Sequence, residues 1–130
     1  MDKAKVDQGI ERLIQQLPER PEWVVIVDRN GTFITRVGHY TWRFGVQLTD
    51  EIAATWTHRY GLQQIEVLDN LNHGNLQYSM SFGSDYALFL FNLNDQFFIG
   101  LCYDGVPSFD AIIEGFLSKF ELVTEPLWYS

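Results

Sequence analysis

Residues 88–100, LFLFNLNDQFFIG, are two apolar runs hinged on Asn92, Asn94 and Asp95. Successive side chains of a strand point to opposite faces of its sheet, so Leu88, Phe89, Leu90 and Phe91 leave no polar face for water. Both runs must be inner strands with a layer on each side. The cover has four possible sources: helices of the same chain, a second copy, a ligand or a partner.

The rest of the chain supplies helices. Val6, Ile10, Leu13, Ile14 and Leu17 recur at helical spacing until Pro18 and Pro21, which predicts a helix over roughly residues 3–17. WVVIV at 23–27 is a β-branched run suited to a strand covered on both faces. Asn30-Gly31 predicts a two-residue hairpin with both positions at positive φ, returning through TFITRV at 32–37. The stretch 38–47, GHYTWRFGVQ, reads equally as a loop or an irregular strand.

Thr49 or Asp50 caps a second helix, with Asp50 and Glu51 at its positive end and Ile52, Ala53, Trp56 and Tyr60 along one side. It stops at Gly61 or continues through Ile65 and Leu68 towards Asn70. After a turn at 72–75, LQYSMSF at 76–82 alternates, with Leu76, Tyr78, Met80 and Phe82 on one face, as an edge strand does. Strands at 86–93 and 96–103 follow. Ser108 then caps a helix whose Phe109, Ile112, Ile113, Phe116, Leu117 and Phe120 form the clearest apolar stripe in the chain. The tail ELVTEPLWYS is short and apolar, and is expected to fold back or to meet a partner. The order helix, strand, strand, helix, three strands, helix implies an α/β (α+β) sandwich: an antiparallel meander of about five strands with helices on both faces. The whole of 1–130 is expected to be one domain, with a core over about 3–120 and a tail at 121–130.

Composition narrows the function. A net charge of −8 with nine scattered Lys and Arg argues against nucleic acid and anionic membranes. Neither an apolar leader nor a membrane-length apolar run occurs, and the single Cys102 suits a reducing compartment, so the expected location is the cytoplasm. Chemistry is equally sparse. His39, His58 and His73 are spread out and one cysteine cannot build a structural zinc site. Cys102 lies in the apolar run FFIGLCY, which suits packing better than nucleophilic attack. The glycines match neither phosphate-binding fingerprint, and Asp50-Glu51 is explained by a helix N-terminus. No catalytic residue, metal or cofactor is indicated, and the chain is not expected to be an enzyme.

Surfaces remain. Trp56, Arg59 and Tyr60 are the residue types enriched at interface hot spots, or else Trp56 and Tyr60 pack on the sheet and Arg59 is merely solvated. The edge strand 76–82 lacks Lys or Pro to discourage pairing, unless a loop such as 38–47 hides it. Tyr40, Trp42 and Phe44 are either core or pocket lining.

The element order, together with WVVIVDRNGTFITRVG at 23–38 and GSDYALFLFNLNDQFFIGLCYDG at 83–105, resembles the bacterial type of the roadblock / dynein light chain family. The likeness runs over about residues 3–120; the aromatic insert HYTWRFGVQ, bulky Trp56 and Gly61 depart from the family's small residues at those places. The resemblance implies a roadblock/profilin-like fold and a non-enzymatic homodimer that binds or regulates a small Ras-like GTPase or supports a larger assembly. It would place Trp56, Arg59 and Tyr60 on the helical part of a dimer contact and Gln77, Tyr78 and Ser79 on its strand part. Helices one and three would then cover one face of the sheet and helix two the other. Two other classes remain open: a PAS- or profilin-like sensor with a small apolar ligand among residues such as Trp42, Trp56 and Phe89, and an acidic secretion-type chaperone.

Overall fold

A computed structural model describes residues 1–40, 47–72 and 74–129, the side chain of Tyr129 excepted. The elements are α1 (Lys3–Gln15), β1 (Trp23–Asp28), β2 (Phe33–Gly38), α2 (Asp50–Leu71), β3 (Tyr78–Phe82), β4 (Tyr86–Leu93), β5 (Phe97–Asp104), α3 (Phe109–Lys119) and α4 (Glu121–Tyr129). The five strands form one antiparallel sheet in the order β2-β1-β5-β4-β3.

The expected meander is therefore corrected. β1 pairs with β5, not with β3, and α2 carries the chain from the β2 edge to the β3 edge. The apolar run of β1 explains its place: Trp23–Val27 is buried throughout, which only an inner position provides.

Two cores follow from strand alternation. Val24, Ile26, Phe89, Phe91, Ile99 and Leu101 meet the stripe of α1 (Val6, Ile10, Leu13, Ile14) together with Ile112 and Phe116 of α3 and Val123 and Leu127 of α4. On the other face Val25, Val27, Leu90 and Phe98 meet Ala53 and Ala54 of α2. Helices of the same chain thus cover both faces of LFLFNLNDQFFIG. Leu76 precedes β3 and joins the α2 core, not the face of Tyr78, Met80 and Phe82 expected for it.

Local chemistry sets the ends. Asp2 caps α1 by accepting from the backbone of Ala4 at 3.0 Å, and Thr49 caps α2 by accepting from Ile52 at 3.2 Å. α2 runs through Gly61 to Leu71 and closes on Asn72 in the left-handed conformation, φ 55°. The tail is itself helical. Pro126 removes the donor that would bond the carbonyl of Leu122, and that carbonyl packs so close to Gly9 of α1 that a Cβ there would lie 1.9 Å from it.

The first hairpin turn also differs from expectation. Gly31 has φ 87°, but Asn30 is not in the positive region. Gly31 N–H donates to the Asp28 carbonyl at 3.0 Å, and the Asp28 carboxylate accepts from Asn30 and Thr32, each at 2.9 Å. This is a turn centred on Arg29 and Asn30 and completed by a left-handed glycine. The mirror-image turn with both residues at positive φ occurs instead at Asn94 (51°) and Asp95 (59°), between β4 and β5.

Candidate interaction surface

The seat of α2 on the sheet is made of small residues. Ala53, Ala54, Thr57 and Gly61 are its buried positions. A Cβ on Gly61 would lie 2.8 Å from the Phe98 ring, and one on Gly100 would lie 2.9 Å from Thr57 Oγ1, so helix and sheet approach closely. At about 100° of rotation per residue, Trp56, Tyr60, Gln63 and Val67 project from the flank beside that seat, and Leu71 continues it. Trp56 is 50% exposed, Val67 49% and Leu71 58%.

Hydrogen bonds fix which way this flank faces. Tyr60 Oη and Ser79 Oγ are 2.8 Å apart, so the flank overlooks β3. The opposite flank carries His58, whose Nε2 donates to the Arg29 carbonyl at 2.9 Å, on the β1–β2 side.

Among the described residues β3 is an edge strand, bonded to β4 alone. Asn92 N–H donates to the Gln77 carbonyl and Gly83 N–H to the Tyr86 carbonyl, both at 2.9 Å. Antiparallel pairs alternate between bonded and non-bonded, so the backbone of Ser79 and Ser81 is engaged with β4. The backbone groups of Tyr78, Met80 and Phe82 point to the open side. Side chains alternate as well: Ser79 faces α2, whereas Phe82 stands edge-on to Phe89 at 5.9 Å and to Phe109 of α3 at 5.8 Å.

The residues expected to form the contact are therefore placed unevenly. Tyr60 and Ser79 touch. Trp56 is exposed on the same flank, and Arg59 is exposed one step further round the helix. Gln77 is exposed just before β3. Tyr78 lies on the α3 side of the sheet, tilted against Phe91 at 6.2 Å, and is 39% exposed. Val67 and Leu71 are exposed on the same side of α2 without having been expected there, although continuing α2 beyond Gly61 puts both on the stripe.

The start of α2 is tied to the far edge. Tyr40 Oη donates to Asp50 Oδ1 at 2.8 Å, and Arg36 lies 3.5 Å from the same carboxylate and 4.8 Å from the Tyr40 ring. Burial, and then the bond to Asp50, push the Tyr40 hydroxyl well above its ordinary pKa. Trp42 and Phe44 lie outside the described residues. The expected ligand lining is not assembled: Trp56 stands on the outer flank of α2, while Phe89 is fully buried in the α1/α3 core. Among the described residues, no group of three or more His, Cys, Asp or Glu is placed to hold a metal, and no helix is long and apolar enough to cross a membrane.

No family model matches the chain, and no curated protein matches it in sequence. Solved structures do match in shape. Myxococcus xanthus MglB superposes with a TM-score of 0.78 at 13% identity, over 97% of this chain and 90% of that one. A Roadblock/LC7 domain from Streptomyces avermitilis gives 0.72 at 11%, over 95% of each chain. The chain has the roadblock fold. An MglB with a tetrameric arrangement is similar too, with a TM-score of 0.75 at 11% identity over 94% of this chain and 87% of that one. In this chain α2 and β3 are neighbours at one edge, so an exposed helix flank and a strand edge lie side by side.

Proposed function

We propose that the chain is a non-enzymatic dimerisation module whose paired form is a platform for a small Ras-like GTPase or a larger assembly. The observation that carries this is the continuity of the apolar α2 flank (Trp56, Val67, Leu71) with the open edge of β3. Each feature is costly alone, since exposed apolar area and unpaired strand groups both favour association. A two-fold axis beside β3 satisfies both. β3 pairs with its copy, two five-stranded sheets become one, and the α2 flanks meet over the seam. Trp56, Tyr60 and Ser79 then lie near the centre, Gln77 and Arg59 towards the rim, and Tyr78 on the far face.

The roadblock fold supports self-assembly, since an MglB of this shape adopts a tetrameric arrangement. The GTPase partner rests on the resemblance of 23–38 and 83–105 to the roadblock family. The cytoplasm is the location that suits it.

Native mass spectrometry tests the first step. A dimer of the 15.1 kDa chain is expected, falling to monomer in Trp56→Asp/Val67→Asp with an unchanged far-ultraviolet spectrum. A wild-type monomer at micromolar concentration, or a double variant that still dimerises, would overturn the proposal. The second step is read by binding of a GTP-loaded Ras-like GTPase to the wild type and not to the monomeric variant.

A further inference from the structure

The apolar stripe of α3 is wider than its seat. Ile112 and Phe116 are its buried positions, and Gly115 beside them faces Leu17 at the end of α1. At about 100° of rotation per residue, Phe109, Ile113, Leu117 and Phe120 fall together on the opposite flank. That flank overlooks β3. Phe109 meets Phe82 at 5.8 Å, and Leu117 and Phe120 border the same hollow as Asn75 and Gln77, which lead into the strand. Tyr78 and Phe82 stand on this face of β3, against Phe91 and Phe89. Helix flank and strand thus form the wall and floor of one apolar groove along the sheet edge. Phe82, Phe109, Leu117 and Phe120 are each at least 40% exposed, and a row of large apolar side chains half in water favours association.

Length and charge narrow what fits. Phe109 to Phe120 spans about 16 Å at 1.5 Å per residue, and an apolar row of that kind accepts the i, i+3/i+4, i+7 face of a second helix. Among the described residues, the ionisable side chains placed along the groove are acidic. Asp110 and Glu114 follow Leu117 round the outer side of α3, and Asp95 borders the Phe120 end, whereas Lys119 is turned to the α1 flank. A second copy laid in the groove would bring the same acids against them, which disfavours it. Lysines and arginines beside the apolar face of an incoming helix would meet them with opposite charge.

We propose that this groove is a docking site for a basic amphipathic helix of a partner protein. The apolar face of that helix packs between Phe109, Leu117 and Phe120 on one side and Tyr78 and Phe82 on the other, with its basic residues towards Asp110 and Glu114. The site is on the face of the sheet opposite α2 and does not depend on pairing through α2 and β3.

A fluorescein-labelled amphipathic peptide of leucine and lysine, about four helical turns long, is the probe. A scrambled peptide of the same composition and a leucine–glutamate counterpart are its controls. Fluorescence anisotropy on the full chain at physiological salt is expected to show saturable binding, with both controls at least about tenfold weaker. Phe109→Ser/Leu117→Ser is expected to weaken it about tenfold, and Asp110→Asn/Glu114→Gln severalfold, with a shallower salt dependence. Trp56→Asp/Val67→Asp, on the other face, leaves it unchanged, so the dimer and this site are read separately. Circular dichroism establishes that each variant is folded. Equal binding of the scrambled peptide, no effect of Phe109→Ser/Leu117→Ser or of Asp110→Asn/Glu114→Gln, or loss of binding in Trp56→Asp/Val67→Asp would overturn the assignment. So would a subunit number that falls in Phe109→Ser/Leu117→Ser by native mass spectrometry, since a second copy would then be what fills the groove.

Discussion

Gly31 and Asn30 are adjacent in one turn, yet alanine is expected to act very differently at each. Gly31 holds φ 87°, where a Cβ costs about 1–2 kcal/mol. That Cβ would also lie 2.8 Å from His58 Nδ1, so the imidazole must move and its bond to the Arg29 carbonyl, worth about 0.5–1.5 kcal/mol, is lost. Gly31→Ala should therefore destabilise the fold by about 2–3 kcal/mol. Asn30 is not at positive φ and contributes its backbone N–H to Asp28, which alanine retains; Asn30→Ala should stay within about 0.5 kcal/mol. Urea denaturation followed by circular dichroism at fixed protein concentration gives both values, provided the slope m is unchanged. In a His58→Ala background the cost of Gly31→Ala should fall by about 1 kcal/mol, because the clash and the lost bond are gone. Equal costs at the two positions would refute this turn and restore the mirror-image Asn-Gly hairpin. A neutral Gly31→Ala would refute the left-handed glycine itself.

Met80→Pro should weaken self-association while leaving the chain folded, because it removes an outward donor of β3 without touching its bonds to β4; a folded variant with unchanged dimer affinity would reject pairing along that edge. Gly61→Val should cost about 1–3 kcal/mol through overpacking against Phe98, despite the poor helix propensity of glycine, as read from its urea midpoint. The Tyr40 hydroxyl titrates higher in the fold than in the unfolded chain, where its value is 10.0. The unfolded state then releases that proton first, so its contribution is complete below pH 10 and is lost as pH rises further. Tyr40→Phe should flatten the alkaline fall of Tm, leaving the part due to Tyr103, which burial also pushes up.

The layers were legible because periodicity records them. The 3.6-residue stripes of α1 and α3 and the double-faced runs of β4 and β5 could be buried only in a covered sheet. The pairing of β1 with β5 was not legible, since no local pattern chooses a distant neighbour. Asn30-Gly31 misled because the dipeptide fits either of two turns, and the Asp28 carboxylate, which gathers two backbone N–H groups, decides between them. The tail hid a helix because Pro126 reads as a breaker. Pro126 is accommodated where Gly9 lets α1 settle against the Leu122 carbonyl.

The candidate surface was half legible for a related reason. Aromatic residues on a helix can pack inward or outward, and Trp56 alone gives no sign of which. The answer lies in the small residues around it. Ala53, Ala54, Thr57 and Gly61 bring α2 so close to Phe98 and Gly100 that no bulky side chain fits between helix and sheet. Tyr60 finds room only by reaching sideways to Ser79. Trp56 and Val67 are left on the outer flank beside that seat, and Leu71 is exposed at the end of the helix. In the proposed dimer a second body at the β3 edge covers them, where the backbone groups of Tyr78, Met80 and Phe82 point outward.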